Sequence, residues 1–253
     1  MPDIGAMAER IDQAALTATA VPQFGAELTE ADAYRIQAAS IERRLVRGER
    51  RIGMKMGFTS RAKMIQMGVH DMIWGRLTDA MIVEEGGSLE IGRFVHPRVE
   101  PEIAFLIGTP LAGVVTVAQA HASLAGVAAA MEIIDSRYEN FKFSLTDVIA
   151  DNASSSGLVL GRWNPPVTDI ANLGVVMSFD GQPVQIGSSA AILGNPLRAL
   201  VTAARLVAEA GEMLSPGDIV LAGAATSAEA LSPGVHVRLE VQSLGTVEFS
   251  VTS

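Results

Sequence analysis

Glu100 and Glu102 stand two residues apart at the head of an apolar run, His96-Pro97-Arg98-Val99-Glu100-Pro101-Glu102-Ile103-Ala104-Phe105-Leu106-Ile107. The run has strand-type composition, and in a β-strand residues i and i+2 project to the same face. Both carboxylates then share one small volume. There they repel each other and raise each other's pKa unless a cation neutralises them. A fold carrying this segment must leave that face to water or supply the cation. A hard divalent ion such as Mg²⁺ suits the second case, because it takes oxygen ligands. The pair alone leaves both open.

The chain has 253 residues, 49% of them apolar and 19% charged, enough for one sizeable core. A net charge of -9 and a pI near 5.0 argue against nucleic acid and anionic membranes as partners. They do not argue against an anionic small substrate, which local cations and a metal would handle. With no cysteine, disulfides, thiolate nucleophiles and zinc–cysteine sites are excluded. The amino terminus lacks the basic and apolar regions of a signal peptide. Val114 to Ile134 is apolar but broken by Gln119, His121 and Glu132, so it reads as a buried helix rather than a membrane span. A cytoplasmic location is expected.

Residues 1–50 read as a helical region, with Thr29 as N-cap and Asp32 three residues on. The texture changes near residue 50, which divides 1–50 from 51–253. Ile52 to Thr59 reads as a strand framed by Gly53 and Gly57, and Ser60 to Met67 as a helix. Trp74 to Asp79 reads as a loop or turn, Ala80 to Val83 as a short strand, and Glu84 to Gly87 as a hairpin-type turn. Leu89 to Phe94 and Val99 to Ile107 read as strands, Thr116 to Ala130 as a strong helix, and Met131 to Arg137 as a short strand. Further on, Ser144 to Ala150 and Pro196 to Ala210 read as helices. Asp180-Gly181 reads as a hairpin turn between strands, and Ile219 to Ala222, Val235 to Val241 and Thr246 to Val251 as strands.

Three further features bear on chemistry. Glu132 sits among apolar neighbours, where an unpartnered carboxylate is costly; it either pairs with Arg137 or joins Glu100 and Glu102 on a metal. Lys55 lies between Met54 and Met56 and is either an exposed edge residue or a functional cation of lowered pKa. Two runs of small residues, Asp151 to Gly157 and Gly223 to Ser227, suit close approach by a ligand or are ordinary loops.

These stretches resemble the fumarylacetoacetate hydrolase superfamily, within it the branch of 2-oxopent-4-enoate hydratases and 2-oxo-3-hexenedioate (4-oxalocrotonate) decarboxylases. The resemblance runs through Lys55-Met56-Gly57-Phe58-Thr59-Ser60, His96 to Phe105, Glu132-Ile133-Ile134-Asp135-Ser136-Arg137 and Asp151-Asn152-Ala153-Ser154-Ser155. Tyr138-Glu139-Asn140-Phe141-Lys142-Phe143 is similar to the decarboxylase side. The resemblance implies an α+β fold: a mixed β-roll or sandwich core of the fumarylacetoacetate hydrolase C-terminal type, flanking helices and a small helical amino-terminal region. It also implies Mg²⁺ or Mn²⁺ held by Glu100, Glu102 and Glu132, with Lys55 beside it.

On that footing Lys55 is the candidate to support an enolate or deliver a proton, and Asp79 to orient Lys55 or a water, unless it is an ordinary turn residue. Arg137 is a candidate for binding a substrate carboxylate, or it pairs with Asp135 or Glu139. Ser154 and Ser155 are candidate donors to the 1-carboxylate, and Thr226 a weaker contact. Asn195 stands where the family carries histidine and is assigned no role. The implied activity is decarboxylation of 2-oxo-3-hexenedioate, a small 2-oxo dicarboxylate. The alternatives are hydration of 2-hydroxypenta-2,4-dienoate and a non-catalytic role in stabilising a partner enzyme. A homo-oligomer and a complex with a partner hydratase are also implied.

Overall fold

Helices α1 (Ile4–Leu16) and α2 (Glu30–Val46) open the chain in the computed structural model, which describes residues 2–25, 28–60, 64–65 and 71–253. Thr29 caps α2, its hydroxyl accepting the Asp32 N–H at 3.1 Å, which fills a donor the first turn leaves unpaired. Ala8, Ala33 and Ile36 pack with Ile73, Ile149 and Ala153. From α2 the buried Gln37 carboxamide donates to the carbonyls of Trp74, at 3.0 Å, and Ile149, at 2.8 Å. The helical region therefore shares a core with the residues that follow it.

Thirteen described strands build two sheets. In chain order they are β1 (Arg51–Gly57), β2 (Ile73–Thr78), β3 (Ile82–Val83), β4 (Ser88–Glu90), β5 (Arg98–Ile107), β6 (Leu124–Ile134), β7 (Ser155–Leu160), β8 (Gly174–Phe179), β9 (Gln182–Ser188), β10 (Ile219–Ala224), β11 (Glu229–Ala230), β12 (His236–Val241) and β13 (Gly245–Thr252). The larger sheet runs β2-β1-β10-β5-β6-β7-β3, with β11 also on β5; the smaller runs β4-β13-β12-β8-β9. β1–β10, β3–β7 and β4–β13 are parallel and the other pairs antiparallel.

One face of the larger sheet presents Ile103, Phe105, Met131, Ile133 and Val159, which share a buried cluster with Val237, Leu239, Val247 and Phe249 of the smaller sheet. The opposite face carries small residues, Ala104, Ala128 and Ala130, with Leu77, Leu158 and Leu221. Their low volume lets the sheet curl. Asn152, just ahead of β7, closes the curl onto β2: its carboxamide accepts the Arg76 N–H at 2.7 Å and donates to the Arg76 carbonyl at 2.9 Å. The result is the mixed α+β roll with a small helical amino-terminal region.

The structure departs from the sequence reading at five places, one of them Ala80 to Val83, where Ala80 and Met81 lie in a 3₁₀ turn and only Ile82–Val83 is strand. Thr116 to Ala130 is not one helix. Thr116 and Gln119 form a capping box on the short α3 (Val117–Ala122), and the chain then runs as β6. Strand β6 is buried on both faces over most of its length, so its apolar residues show no alternation and imitate a buried helix. Trp74 to Asp79 is mostly β2, disguised because polar Arg76 is buried there, stacked on Trp74 and bonded to Gln37. The Glu84–Gly87 turn joins strands of different sheets, so it makes no hairpin. Of Leu89 to Phe94, Leu89 and Glu90 close β4, and Ile91–Arg93 forms a 3₁₀ turn. The helix expected over Ser60 to Met67 falls largely outside the described residues. Leu145–Ala150 (α4) and Leu197–Glu209 (α5) form helices, and Asp180-Gly181 turns β8 into β9.

Ile36 is fully buried in the cluster that joins α2 to β2 and α4. Ile36→Ala is expected to lower stability by about 2–5 kcal/mol. Followed by both circular dichroism and tryptophan fluorescence, the loss should appear in one cooperative transition. Separate melting of the helical region would show that the core is not shared.

Candidate metal centre and adjoining cavity

The β5–β6 pairing sets Glu100 directly opposite Glu132, and Glu102 opposite Ala130. Directly opposed residues and their diagonal neighbours lie within side-chain reach on one face. One oxygen from each of Glu100, Glu102 and Glu132 lies within 4.8 Å of the others, the one such acidic group among the described residues. The register thus selects between the alternatives for Glu132: it faces the glutamate pair, and Arg137 is engaged elsewhere.

The cluster is held from two further strands. The Lys55 ammonium on β1 donates to Glu132 Oε2 at 3.0 Å, and both side chains are buried. The Gly223 N–H on β10 donates to Glu102 Oε2 at 2.6 Å. Strand β10 reaches that point through an irregularity between Leu221 and Ala224, where Gly223 takes φ 102°. A Cβ there would overlap the Thr59 side chain, so only glycine offers its N–H to Glu102 in this way. Oε1 of Glu102 and Oε1 of Glu132 are buried and make no hydrogen bond.

Burial, then the charge of Glu132, push the Glu102 carboxyl well above its usual range, against the pull of Lys55. Burial works against the Lys55 charge, yet the three carboxylates outweigh it and hold the ammonium above the usual lysine value. This corrects the expectation of a lowered lysine pKa, which took the methionine neighbours as the environment. Met54 and Met56 point into the opposite, apolar cluster, so Lys55 meets the glutamates. The Lys55 ammonium by itself does not balance three carboxylates. Two buried oxygens without partners, set among oxygen donors only, fit a hard divalent cation.

A cavity of about 150 Å³ adjoins the cluster. Lys55, Glu100, Thr59, Ser60 and Ser154 line its polar side, and Phe58, Ile73, Phe141, Phe143 and Val148 its apolar side. Ser154 therefore borders the cavity. Ser155 is buried with its hydroxyl unpartnered. The loop before them is tightly wound: Asn152, Ala153 and Ser154 all take left-handed φ, 51°, 51° and 61°, costly for three successive non-glycine residues.

Arg137 holds that loop. Its guanidinium donates to the Asp151 carboxylate, to Ser156 Oγ and, at 2.6 Å, to the Asp151 carbonyl. Its partner is Asp151, not Asp135 or Glu139, and burial pushes the Asp151 carboxyl up to about 7 against the pull of Arg137. Asp79 lies at the far end of the β1–β2 pair from Lys55, accepting from the Arg50 N–H at 2.8 Å and Nε at 2.9 Å. Thr226 turns its hydroxyl to the Ser227 carbonyl at 3.1 Å and does not line the cavity. The sequence assigns no individual role to Thr59, Phe143 or Gly223, and reaches Phe141 only through the expectation that selectivity lies around Arg137 to Lys142. Gly223 had a signal in its small-residue loop, and the two phenylalanines also marked the family branch.

Residues 54–252 match the family model described as fumarylacetoacetate (FAA) hydrolase C-terminal. A 4-oxalocrotonate decarboxylase of Pseudomonas sp. is 59% identical over 251 residues, covering 98% of both chains. The solved structure of 4-oxalocrotonate decarboxylase from Pseudomonas putida G7, complexed with magnesium and adipate, superposes with a TM-score of 0.95 at 38% identity over 98% of this chain and 97% of that one. A 2-hydroxypent-2,4-dienoate hydratase of Pseudomonas putida is 37% identical over 77% of this chain and 90% of its own.

Three tests follow from the carboxylate geometry. Glu102 binds its proton more tightly in the folded protein than in the unfolded chain. Its contribution is therefore fully present below the unfolded value of about 4.5 and is lost as pH rises through the higher folded value. Metal-free protein should show a falling melting temperature with rising pH across that window. Mg²⁺ should bind with release of protons and with affinity that grows with pH, read by calorimetry in two buffers of different ionisation heat. Proton-neutral binding would place the ion elsewhere. Gly223→Ala should weaken Mg²⁺ at least tenfold by displacing the Glu102 donor; unchanged affinity would show that this N–H does not shape the site.

Proposed function

The chain belongs to the fumarylacetoacetate hydrolase C-terminal family, and from that premise we propose that it is a divalent-metal-dependent 4-oxalocrotonate (2-oxo-3-hexenedioate) decarboxylase. The products are CO₂ and 2-hydroxypenta-2,4-dienoate. The observation that carries the activity is the end-to-end match to a decarboxylase of that substrate. The three-carboxylate cluster with its two orphaned oxygens supports the metal.

In this reading Glu100, Glu102 and Glu132 hold Mg²⁺ or Mn²⁺. When bound, such an ion supplies Lewis acidity to the 2-oxo group of the substrate. The remaining work falls to side chains of the chain itself. Thr59, Ser60 and Ser154 border the cavity beside Glu100 and offer hydroxyls to the 1-carboxylate. The Phe58, Ile73, Phe141, Phe143 and Val148 side chains exclude water from the carbon skeleton. The C5–C6 bond breaks as CO₂ leaves, and its electron pair moves through C4 and C3 to the 2-oxo oxygen. The charge that develops there is the one to be stabilised. Lys55, buried and held protonated by its glutamate neighbours, places a positive charge within reach and can deliver the proton that completes the enol. No strong base is required. Arg137 and Asp151 hold the Asn152–Ser154 loop, and so act through Ser154.

The reading also carries assembly and location. A homo-oligomer, a complex with a hydratase that consumes the dienol, and a cytoplasmic location belong to it. No described helix is long and apolar enough to cross a membrane. Light scattering and co-elution with a hydratase test the two assemblies.

Protein supplied with 2-oxo-3-hexenedioate and Mg²⁺ should release one CO₂ per substrate, lose activity on chelation and regain it with Mg²⁺. Lys55→Met should lower kcat by about 10²–10³-fold, with Mg²⁺ affinity retained. Hydration of 2-hydroxypenta-2,4-dienoate without CO₂ release from the diacid would assign the chain to the hydratase branch instead.

A further inference from the structure

The proposed substrate carries two carboxylates, and only one of them, with the 2-oxo group, belongs at the carboxylate cluster. Among the described residues, Lys55 is the cation that lines the cavity, and it is already committed, as is Arg137 on the neighbouring loop. Lys55 is bound to Glu132 and Arg137 to Asp151 and Ser156. We infer that Arg98 selects the substrate by its remote carboxylate; this rests on the decarboxylase reading above.

Arg98, Glu100 and Glu102 alternate along an unbroken stretch of β5 that pairs Arg98 with Ile134, Glu100 with Glu132 and Glu102 with Ala130. All three therefore project to one face. The Cα atoms of Arg98 and Glu100 stand roughly 6.7 Å apart at the strand rise. In an extended six-carbon 2-oxo diacid the remote carboxylate carbon lies roughly 5 Å from the keto carbon. Arg98 stands outside the cavity lining, next to its Phe141 and opposite its Ile134, so a chain anchored beside Glu100 and laid along the strand runs toward the guanidinium at the rim.

Arg98 makes no ion pair among the described residues; the contact it makes is with an aromatic ring. The nearest acid on the adjoining strand, Glu229, accepts from Gln185 instead. The Arg98 guanidinium sits over the Phe141 ring, 4.6 Å from its centroid, and Phe141 lines the cavity. The edges of His96 and Phe143 enclose the same ring, at centroid distances of 6.1 and 5.5 Å. Asn140 and Phe141 both take left-handed φ, 58° and 56°, which a bulky side chain rarely adopts. The backbone is thus held out of its preferred range to keep this ring against both the guanidinium and the substrate cavity, the kind of local strain that accompanies ligand clamps. A planar guanidinium stacked on a ring keeps its edge N–H groups available for a carboxylate. Arg98 takes the role the sequence had offered to Arg137.

The test measures binding of 2-oxoadipate and 2-oxohexanoate, which differ in the remote carboxylate alone, to the Mg²⁺-loaded protein by calorimetry. Wild type should prefer the diacid. In Arg98→Met, which keeps a stem to cover Phe141, the diacid Kd should rise at least tenfold while the monoacid Kd stays within twofold. Arg98→Lys should retain part of the preference. Should the methionine variant not fold, Arg98→Gln gives the same comparison. Equal weakening of both ligands, or an unchanged diacid preference, would overturn the role of Arg98. Failure of wild type to release CO₂ from 2-oxo-3-hexenedioate would instead overturn the decarboxylase reading.

Discussion

Mutual repulsion among three carboxylates on one strand pair is the constraint around which this molecule is arranged. The β5–β6 register sets Glu132 opposite Glu100, and the pleat adds Glu102 on the same face. Burial removes the water that would screen them, so the charge must be met from within or by a cation. The protein meets part of it with Lys55 and with the Gly223 N–H. Two buried oxygens are left without partners. That deficit is a binding energy held ready for a divalent ion, and it explains why residues far apart in sequence converge on this spot.

The rest of the fold supplies rigidity to that arrangement. The small residues Ala104, Ala128 and Ala130 lie on the cluster's own face and let the sheet curl around it. The Asn152 carboxamide closes the curl by standing in for a strand partner of Arg76. Arg137 and Asp151 brace the left-handed turn that carries Ser154 to the cavity. Helix α2 reaches the same region through Gln37, which touches both β2 and the α4 backbone. The amino-terminal helices thereby support the wall of the cavity from behind.

Much of the local structure was legible because its signals are short-range. Thr29, Ser144 and Thr116 mark helix starts through hydroxyls that satisfy nearby N–H groups. Asp180-Gly181 marks a hairpin because both positions take positive φ. Illegible were the elements buried on every side. The alanine and valine run of β6 carries no periodicity to separate strand from helix, and Arg76 in β2 looked like a loop residue because its partners come from α2 and from Glu212. The roles of arginines failed for the same reason. Arg137 has acids on both sides of it in sequence, yet it chose Asp151, fourteen residues away.

From the sequence alone, two carboxylates share a strand face, no thiol chemistry is available and Glu132 requires a partner, while Lys55 stays open between an exposed edge residue and a functional cation. These follow from residue type and the two-residue pleat, which need no knowledge of the fold. Tertiary structure alone decided that Glu132 faces Glu100 and that Lys55 meets the glutamates instead of its methionine neighbours. It also decided that Asp79 lies with Arg50 and that the Arg98 guanidinium stacks on Phe141. The physical reason is the register of non-local strands: a slip of one residue turns every side chain to the other face, and no local pattern in this chain records which register the packed core selects.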